Sequence, residues 1–315
     1  MTKIAFIFPG QGSQVVGMGK EFTETNEKSK LFLEKADHEL SYALSKLILE
    51  GPAEDLTLTY NAQPALLTVG TMIASRLADE GIEPDYTAGH SLGEYTALVA
   101  SGVLSFEDAV LAVHQRGNFM NEAVPAGEGA MAAILGLSNE KIIEVTDAIT
   151  AKGHAVQPAN LNCPGQIVIS GTKLGVETAC VELKEAGARR ALPLNVSGPF
   201  HSSLMKPAAK HLEKMLGAIE MSEASVPVIA NVNASVVQNS DEIKKLLVEQ
   251  LYSPVLWEDS VRTMLDLGVT HFIECGPGKV LSGLVKKISK EVEVYAVYDE
   301  STLQEVLEAS KGWSE

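Results

Sequence analysis

Tyr86-Thr87-Ala88-Gly89-His90-Ser91-Leu92-Gly93 is the stretch on which the fold turns. Tyr86 to Gly89 leads into a glycine-bounded turn, and Leu92 to Ala100 carries helical spacing. Between them stands G-x-S-x-G, the pattern of a nucleophile elbow. Ser91 must sit on a sharp strand-to-helix turn with its hydroxyl presented above a sheet. Side chains at the flanking positions would collide there, so Gly89 and Gly93 carry none. The helix opening at the serine brings free backbone N–H groups and a favourable dipole, which together suit an oxyanion.

The same theme extends in both directions. Ile4 to Phe8 is a continuous apolar run stopped by Pro9-Gly10-Gln11-Gly12, which reads as a buried strand and a tight loop. Pro64 to Ala78 reads as a buried helix with proline in its first turn, and Phe106 to Phe119 as a further helix. Strands alternating with helices predict a parallel α/β sheet. After Gly127-Glu128-Gly129 the order changes. It becomes strand (130–135), helix (139–150), strand (155–161), strand (166–170), helix (174–186) and strand (189–194), with a turn at Asn162-Cys163-Pro164-Gly165. This βαββαβ order is ferredoxin-like. Helices over 204–216, 241–251, 257–267 and 303–309 and strands over 226–230, 270–274 and 292–297 then resume α/β patterning. The expected division is a core of residues 1–126 and 198–315 and an inserted small subdomain of residues 127–197.

The 315 residues are 45% hydrophobic and 21% charged, enough to bury a sizeable core. A net charge of −16 argues against nucleic-acid binding through phosphate attraction and against anionic membrane surfaces. Three scattered cysteines, with no C-x-x-C and no metal-ligand spacing, read as free thiols of a reducing cytosol. The N-terminal apolar run is too short for a signal peptide, and no run is long enough to span a bilayer. A cytoplasmic monomer that binds no nucleic acid, membrane or metal is expected.

A serine hydroxyl needs a base to become a useful nucleophile. Among seven histidines, His90 adjoins Ser91 on a turn where neighbours point apart. His201, in the loop Ser197-Gly198-Pro199-Phe200-His201-Ser202, is the better candidate, although a structural histidine reads the same way in sequence. Arg116, in His114-Gln115-Arg116-Gly117, is either a helix-terminal cap or a bidentate clamp for a substrate carboxylate. Gly10-Gln11-Gly12 and Gly276-Pro277-Gly278-Lys279 fail the spacing of phosphate-binding loops and read as turns.

Six stretches, in order, resemble the malonyl-CoA:acyl carrier protein transacylase family of acyltransferases. They are FPGQGSQ (8–14), GHSLGEY (89–95), QRG (115–117), GPFHS (198–202), QLYSPVLW (250–257) and ECGPGKVL (274–281). Acyltransferase domains of polyketide synthases share most of them. The resemblance implies a hydrolase-like parallel-sheet core with an inserted ferredoxin-like subdomain. It implies Ser91 as nucleophile, His201 as its base and the N–H groups of Gln11 and Leu92 as oxyanion hole. It also implies Arg116 as holder of the malonyl carboxylate and the Gln250 backbone carbonyl as orienter of His201. Phe200 matches the residue of members selective for malonyl over methylmalonyl. The implied reaction is ping-pong transfer of malonyl from malonyl-CoA to the phosphopantetheine thiol of acyl carrier protein in fatty acid biosynthesis, without metal or bound cofactor. An acidic carrier would dock on local basic residues, with Arg189, Arg190, Lys279, Lys286 and Lys287 as candidates. A serine esterase or thioesterase, and a non-catalytic binding protein on the same fold, are the rival readings.

Overall fold

The computed structural model describes residues 2–313. Its strands are β1 (Ile4–Phe8), β2 (Tyr86–Gly89), β3 (Gly129–Leu135), β4 (Val156–Cys163), β5 (Gln166–Thr172), β6 (Arg190–Pro193), β7 (Val228–Ile229), β8 (Val236–Val237), β9 (His271–Cys275) and β10 (Glu293–Val297). Five of them run parallel in the order β10-β9-β1-β2-β7, and β8 closes the edge antiparallel to β7. β1 lies near the middle, buried on both faces, as its unbroken apolar run requires. Phe8 pairs with Gly89, so the ends of β1 and β2 are level. The loops carrying Gln11 and Ser91 therefore leave the sheet side by side, at the carboxyl ends where open α/β sheets bind their ligands.

One face is covered by the helix Thr59–Asp79, buried nearly all round, with Phe106–Glu122 packed against it. The other face packs Phe272 with Trp257, Val261 and Met264 from the helix Trp257–Asp266, and with Val285 from Val280–Ile288. The Thr59–Asp79 helix corrects the sequence reading, since Pro64 lies in its second turn and not its first. Proline there lacks the N–H that would reach the Tyr60 carbonyl four residues earlier. His114 of the neighbouring helix bonds that carbonyl instead, at 2.8 Å, so the helix runs through the proline.

β3 to β6 form a separate antiparallel sheet in the order β4-β5-β3-β6. The helices Asn139–Ala151 and Lys173–Glu185 pack on it through Ile142, Ile149, Val176 and Leu183. Chain order and sheet order together give the ferredoxin-like arrangement. Asn162 and Cys163 belong to β4, which leaves only Pro164-Gly165 as the turn. Two backbone hydrogen bonds tie β4 to the core, Leu161 N–H to the Val255 carbonyl (2.9 Å) and Val255 N–H to the Ala159 carbonyl (2.8 Å). Four helices between residues 20 and 57 are further elements that the sequence reading did not resolve.

Candidate active site

Ser91 has φ 52°, in the left-handed region, directly after β2 and at the N-cap of the helix Leu92–Ala100. A side chain on Gly89 would place its Cβ 1.9 Å from the Gly93 carbonyl, and one on Gly93 would lie 2.0 Å from the Phe8 carbonyl oxygen. Both glycines are thus demanded by the close approach of the elbow to itself and to β1. Asn231, just beyond β7, clamps the turn. Its Oδ1 accepts from Ser91 N–H at 2.8 Å, and its Nδ2 donates to the Gly89 carbonyl at 2.7 Å.

His201 stands 2.8 Å from the serine, Nε2 to Oγ, and its Nδ1 is 2.8 Å from the Gln250 carbonyl oxygen. A carbonyl only accepts, so Nδ1 carries the proton and Nε2 is left free to accept from the Ser91 hydroxyl. Burial, followed by the nearby charge of Arg116, holds this imidazole down at about 3 in place of its ordinary 6.5. His201 also has a positive φ, of 56°. A serine and a histidine both held in this region, each costing about 1–3 kcal/mol, mark a geometry enforced by its surroundings.

Arg116 reaches the same point from the helix Phe106–Glu122. A side chain on Gly117 would put its Cβ 2.6 Å from the Tyr60 Cα, so glycine there lets this helix cross the Thr59–Asp79 helix closely enough to deliver the arginine. The guanidinium is 1% exposed and donates to Gln63 Oε1 (2.7 Å), Gln250 Oε1 (2.9 Å) and Ser91 Oγ (3.1 Å). Its Nε has no partner, and among the described residues no carboxylate forms an ion pair with it. A buried cation surrounded by neutral acceptors is short of an anion. Its donation to Ser91 Oγ also favours the ionised serine.

These groups line one cavity of about 130 Å³ between the two sheets. Gln11, Leu92 and Phe200 line it too, with Met120, Met131 and Leu194 supplying apolar wall. Neither the Gln11 nor the Leu92 N–H donates to a protein acceptor among the described residues, so both are free to serve an oxyanion. Except for Gln250, which lies buried behind His201 and meets it through its carbonyl, every site residue expected from the sequence lines this cavity. Asn160 reaches it from β4, whereas Asn162 is spent on His90, whose Nε2 it meets at 2.8 Å. His90 is held below its ordinary value, chiefly by burial, and its Nε2 is engaged by Asn162 and not by Ser91. The sequence reading missed Gln63, Glu94, Asn231 and the side chain of Gln250. Their one sequence signal is polarity inside apolar runs, as in Ala62-Gln63-Pro64-Ala65. Among the described residues no group of three or more His, Cys, Asp or Glu is placed to hold a metal, and no helix is long and apolar enough to cross a membrane.

The five basic candidates are exposed. Lys287 Nζ meets Gln166 Oε1 at 3.3 Å across the join between core and small sheet. Gly165, beside Gln166, accepts from Gly136 N–H, and Gly136 packs on the stem of Arg189. A short relay of contacts thus links Lys287 to Arg189.

The chain matches the model of the acyl transferase domain family over residues 5–303. The malonyl CoA-acyl carrier protein transacylase of Bacillus subtilis (strain 168) is 58% identical over 311 residues, covering 99% of this chain and 98% of that protein. An acyl carrier protein S-malonyltransferase from Vibrio cholerae superposes with a TM-score of 0.95 at 48% identity, over 97% of this chain and 100% of that one. A malonyl-transacylase solved in complex with a type II PKS acyl-carrier protein does so at 0.95 and 43% identity, over 98% and 100%. By sequence and by backbone, over nearly its whole length, the chain belongs to the acyl transferase family and, within it, to the malonyl CoA-acyl carrier protein transacylases.

Proposed function

We propose that this protein moves a malonyl group from malonyl-CoA to the phosphopantetheine thiol of acyl carrier protein, for fatty acid biosynthesis, through a malonyl ester on Ser91. The observation that carries this reading is the pairing of a serine–histidine couple with a buried guanidinium that lacks a carboxylate partner, all on one small cavity. Relatives named for this transfer, one of them solved with its carrier, support it.

The chemistry follows from the contacts. The malonyl carboxylate pairs with Arg116, which brings the thioester carbonyl to Ser91. His201 Nε2 takes the hydroxyl proton as Oγ attacks the carbonyl carbon. The N–H groups of Gln11 and Leu92 receive the negative charge on the carbonyl oxygen. Collapse expels the CoA thiolate, which takes the proton from His201 and leaves as thiol. The carrier's thiol then gives its proton to His201 and attacks the ester, and Ser91 Oγ leaves and recovers that proton. The Gln250 carbonyl stabilises the imidazolium in both halves. Phe200, 6% exposed, narrows the acyl end and favours malonyl over its methylated homologue. The reaction so written calls for no metal or cofactor. A cytoplasmic monomer and an acidic carrier docked on exposed basic residues, with Lys287, Arg189, Arg190, Lys279 and Lys286 as candidates, belong to the same proposal.

The test is intact-protein mass after brief exposure to malonyl-CoA, with acetyl-CoA as control and Ser91→Ala alongside. A malonyl adduct that is absent in the variant and weak with acetyl-CoA is expected. Free malonate without an adduct would favour a hydrolase. Neither adduct nor turnover would leave a binding protein.

A further inference from the structure

Glu94 takes no part in the transfer as written, yet it occupies the centre of the polar cage beneath Ser91. It lies three residues along the elbow helix, 2% exposed, on the face that turns back under the serine. One oxygen, Oε2, accepts from Asn231 N–H at 3.0 Å and from Gln250 Nε2 at 2.9 Å. Asn231 is the residue that clamps the elbow. Gln250 is the hub of the cage. Its Nε2 also donates to the Ser91 carbonyl (3.1 Å), its Oε1 accepts from Arg116, and its own carbonyl accepts from His201. Ser91, His201 and Arg116 are thus each one residue removed from the Glu94 carboxylate.

The hydrogen bonds do not explain the charge. Both partners of Oε2 are donors, and the neutral carbonyl of a glutamine would satisfy them. Burying a carboxylate without a contacting cation is unfavourable, and here the carboxamide of Gln250 stands between Glu94 and Arg116. The charge therefore has a use beyond folding. The cavity holds one fixed positive charge, on Arg116, and a second forms on His201 whenever it takes a proton. The two repel each other.

Building on the malonyl-transfer reading, we propose that Glu94 is a positioning residue whose negative charge, relayed through the Gln250 carboxamide, offsets the field of Arg116 so that His201 can accept the proton of Ser91. The same charge tempers the hold of Arg116 on the malonyl carboxylate. Removing it should slow acylation and at the same time tighten capture of malonyl-CoA, two opposite effects that mere loosening of the site would not produce.

The titration behaviour gives a second handle. Burial pushes the Glu94 carboxyl up to about 7, against the pull of the Asn231 and Gln250 donors and of Arg116. The other ionisable groups facing this cage are Arg116, Tyr95, His201 and His90. Burial raises Tyr95 and lowers both histidines, which leaves Glu94 as the group that changes charge between pH 6 and pH 8.

The experiment is the rate of Ser91 acylation by malonyl-CoA in the full chain, for wild type and Glu94→Gln, at pH 6 and pH 8, with melting temperatures of both. At pH 8 the variant should acylate about tenfold more slowly at saturation, with a lower half-saturating malonyl-CoA concentration and an undiminished melting temperature. By pH 6, where wild-type Glu94 is itself protonated, the gap in rate should close. An unchanged rate at pH 8, or an equal deficit at both pH values, overturns the proposal. Should Glu94→Gln fail to fold, the malonyl-over-acetyl preference of the wild type decides. It should rise about fivefold as the pH falls from 8 to 6, and a flat ratio overturns the proposal. A wild type that forms no malonyl ester at either pH overturns the transfer reading and this proposal with it.

Discussion

Replacing Arg116 by alanine isolates what the buried guanidinium does. With malonyl bound, the cation has a carboxylate; with acetyl bound, it has only the neutral acceptors Gln63, Gln250 and Ser91. An unpaired buried charge costs about 2–5 kcal/mol. Three acceptors already compensate part of this and one nitrogen goes unmatched, so the lower part of the range, about 2–3 kcal/mol, applies. At 1.4 kcal/mol per tenfold, wild type should prefer malonyl-CoA over acetyl-CoA by roughly 30- to 150-fold in kcat/KM for acylation. In Arg116→Ala the malonyl carboxylate is the unpaired charge, and the preference should vanish or invert. The assay is competition between the two thioesters for Ser91, read by intact-protein mass. Competition matters because the variant also strips Gln63 and Gln250 of their donor, an effect common to both substrates that cancels in the ratio. A variant that keeps a 30-fold malonyl preference would refute the assigned role of Arg116.

Phe200→Ser should let methylmalonyl-CoA acylate Ser91 and cost about 3 kcal/mol of stability, seen as a new adduct mass and a lower denaturation midpoint. Gly93→Ala should abolish acylation and lower the melting temperature, because its Cβ would fall 2.0 Å from the Phe8 oxygen; a folded, active variant would contradict the elbow geometry. The folded state resists protonating His201 down to about 3 and the unfolded chain does not. The His201 contribution to stability, full above pH 6.5, should therefore fall by about 1.4 kcal/mol per pH unit as the pH drops toward 3, and the difference between wild type and His201→Gln in denaturant titrations should show that component. Charge reversal at Lys287 and Arg189 together should raise KM for the carrier and leave acylation by malonyl-CoA unchanged.

What could be read from the sequence was set by how local each cause is. The elbow, β1 and the βαββαβ order follow from glycine sterics and from runs of a few residues, so they were legible before any fold was known. Pro64 misled because its tolerance depends on His114, fifty residues away in the chain. The short helices over residues 20–57 mix charge into nearly every turn, which blurs their periodicity. At the site, the groups that do the chemistry stand out as types, a serine between glycines or an arginine in an apolar helix. The groups that hold them do not. Asn231 is 140 residues from Ser91 and Gln250 is 156 from Glu94, and no spacing within the chain announces such partners.

The two backbone hydrogen bonds between Val255 and β4 have a consequence for which acceptors this protein can serve. Val255 lies a few residues beyond Gln250, whose carbonyl aims the imidazole, and Asn160 between the bonded positions lines the cavity. One short peptide therefore sets both the aim of the base and the width of the slot above the nucleophile. Moving β4 outward would pull on Val255, five residues from the carbonyl that aims His201. A cavity of about 130 Å³ braced in this way suits a thiol on a long, thin arm better than one seated on a folded surface.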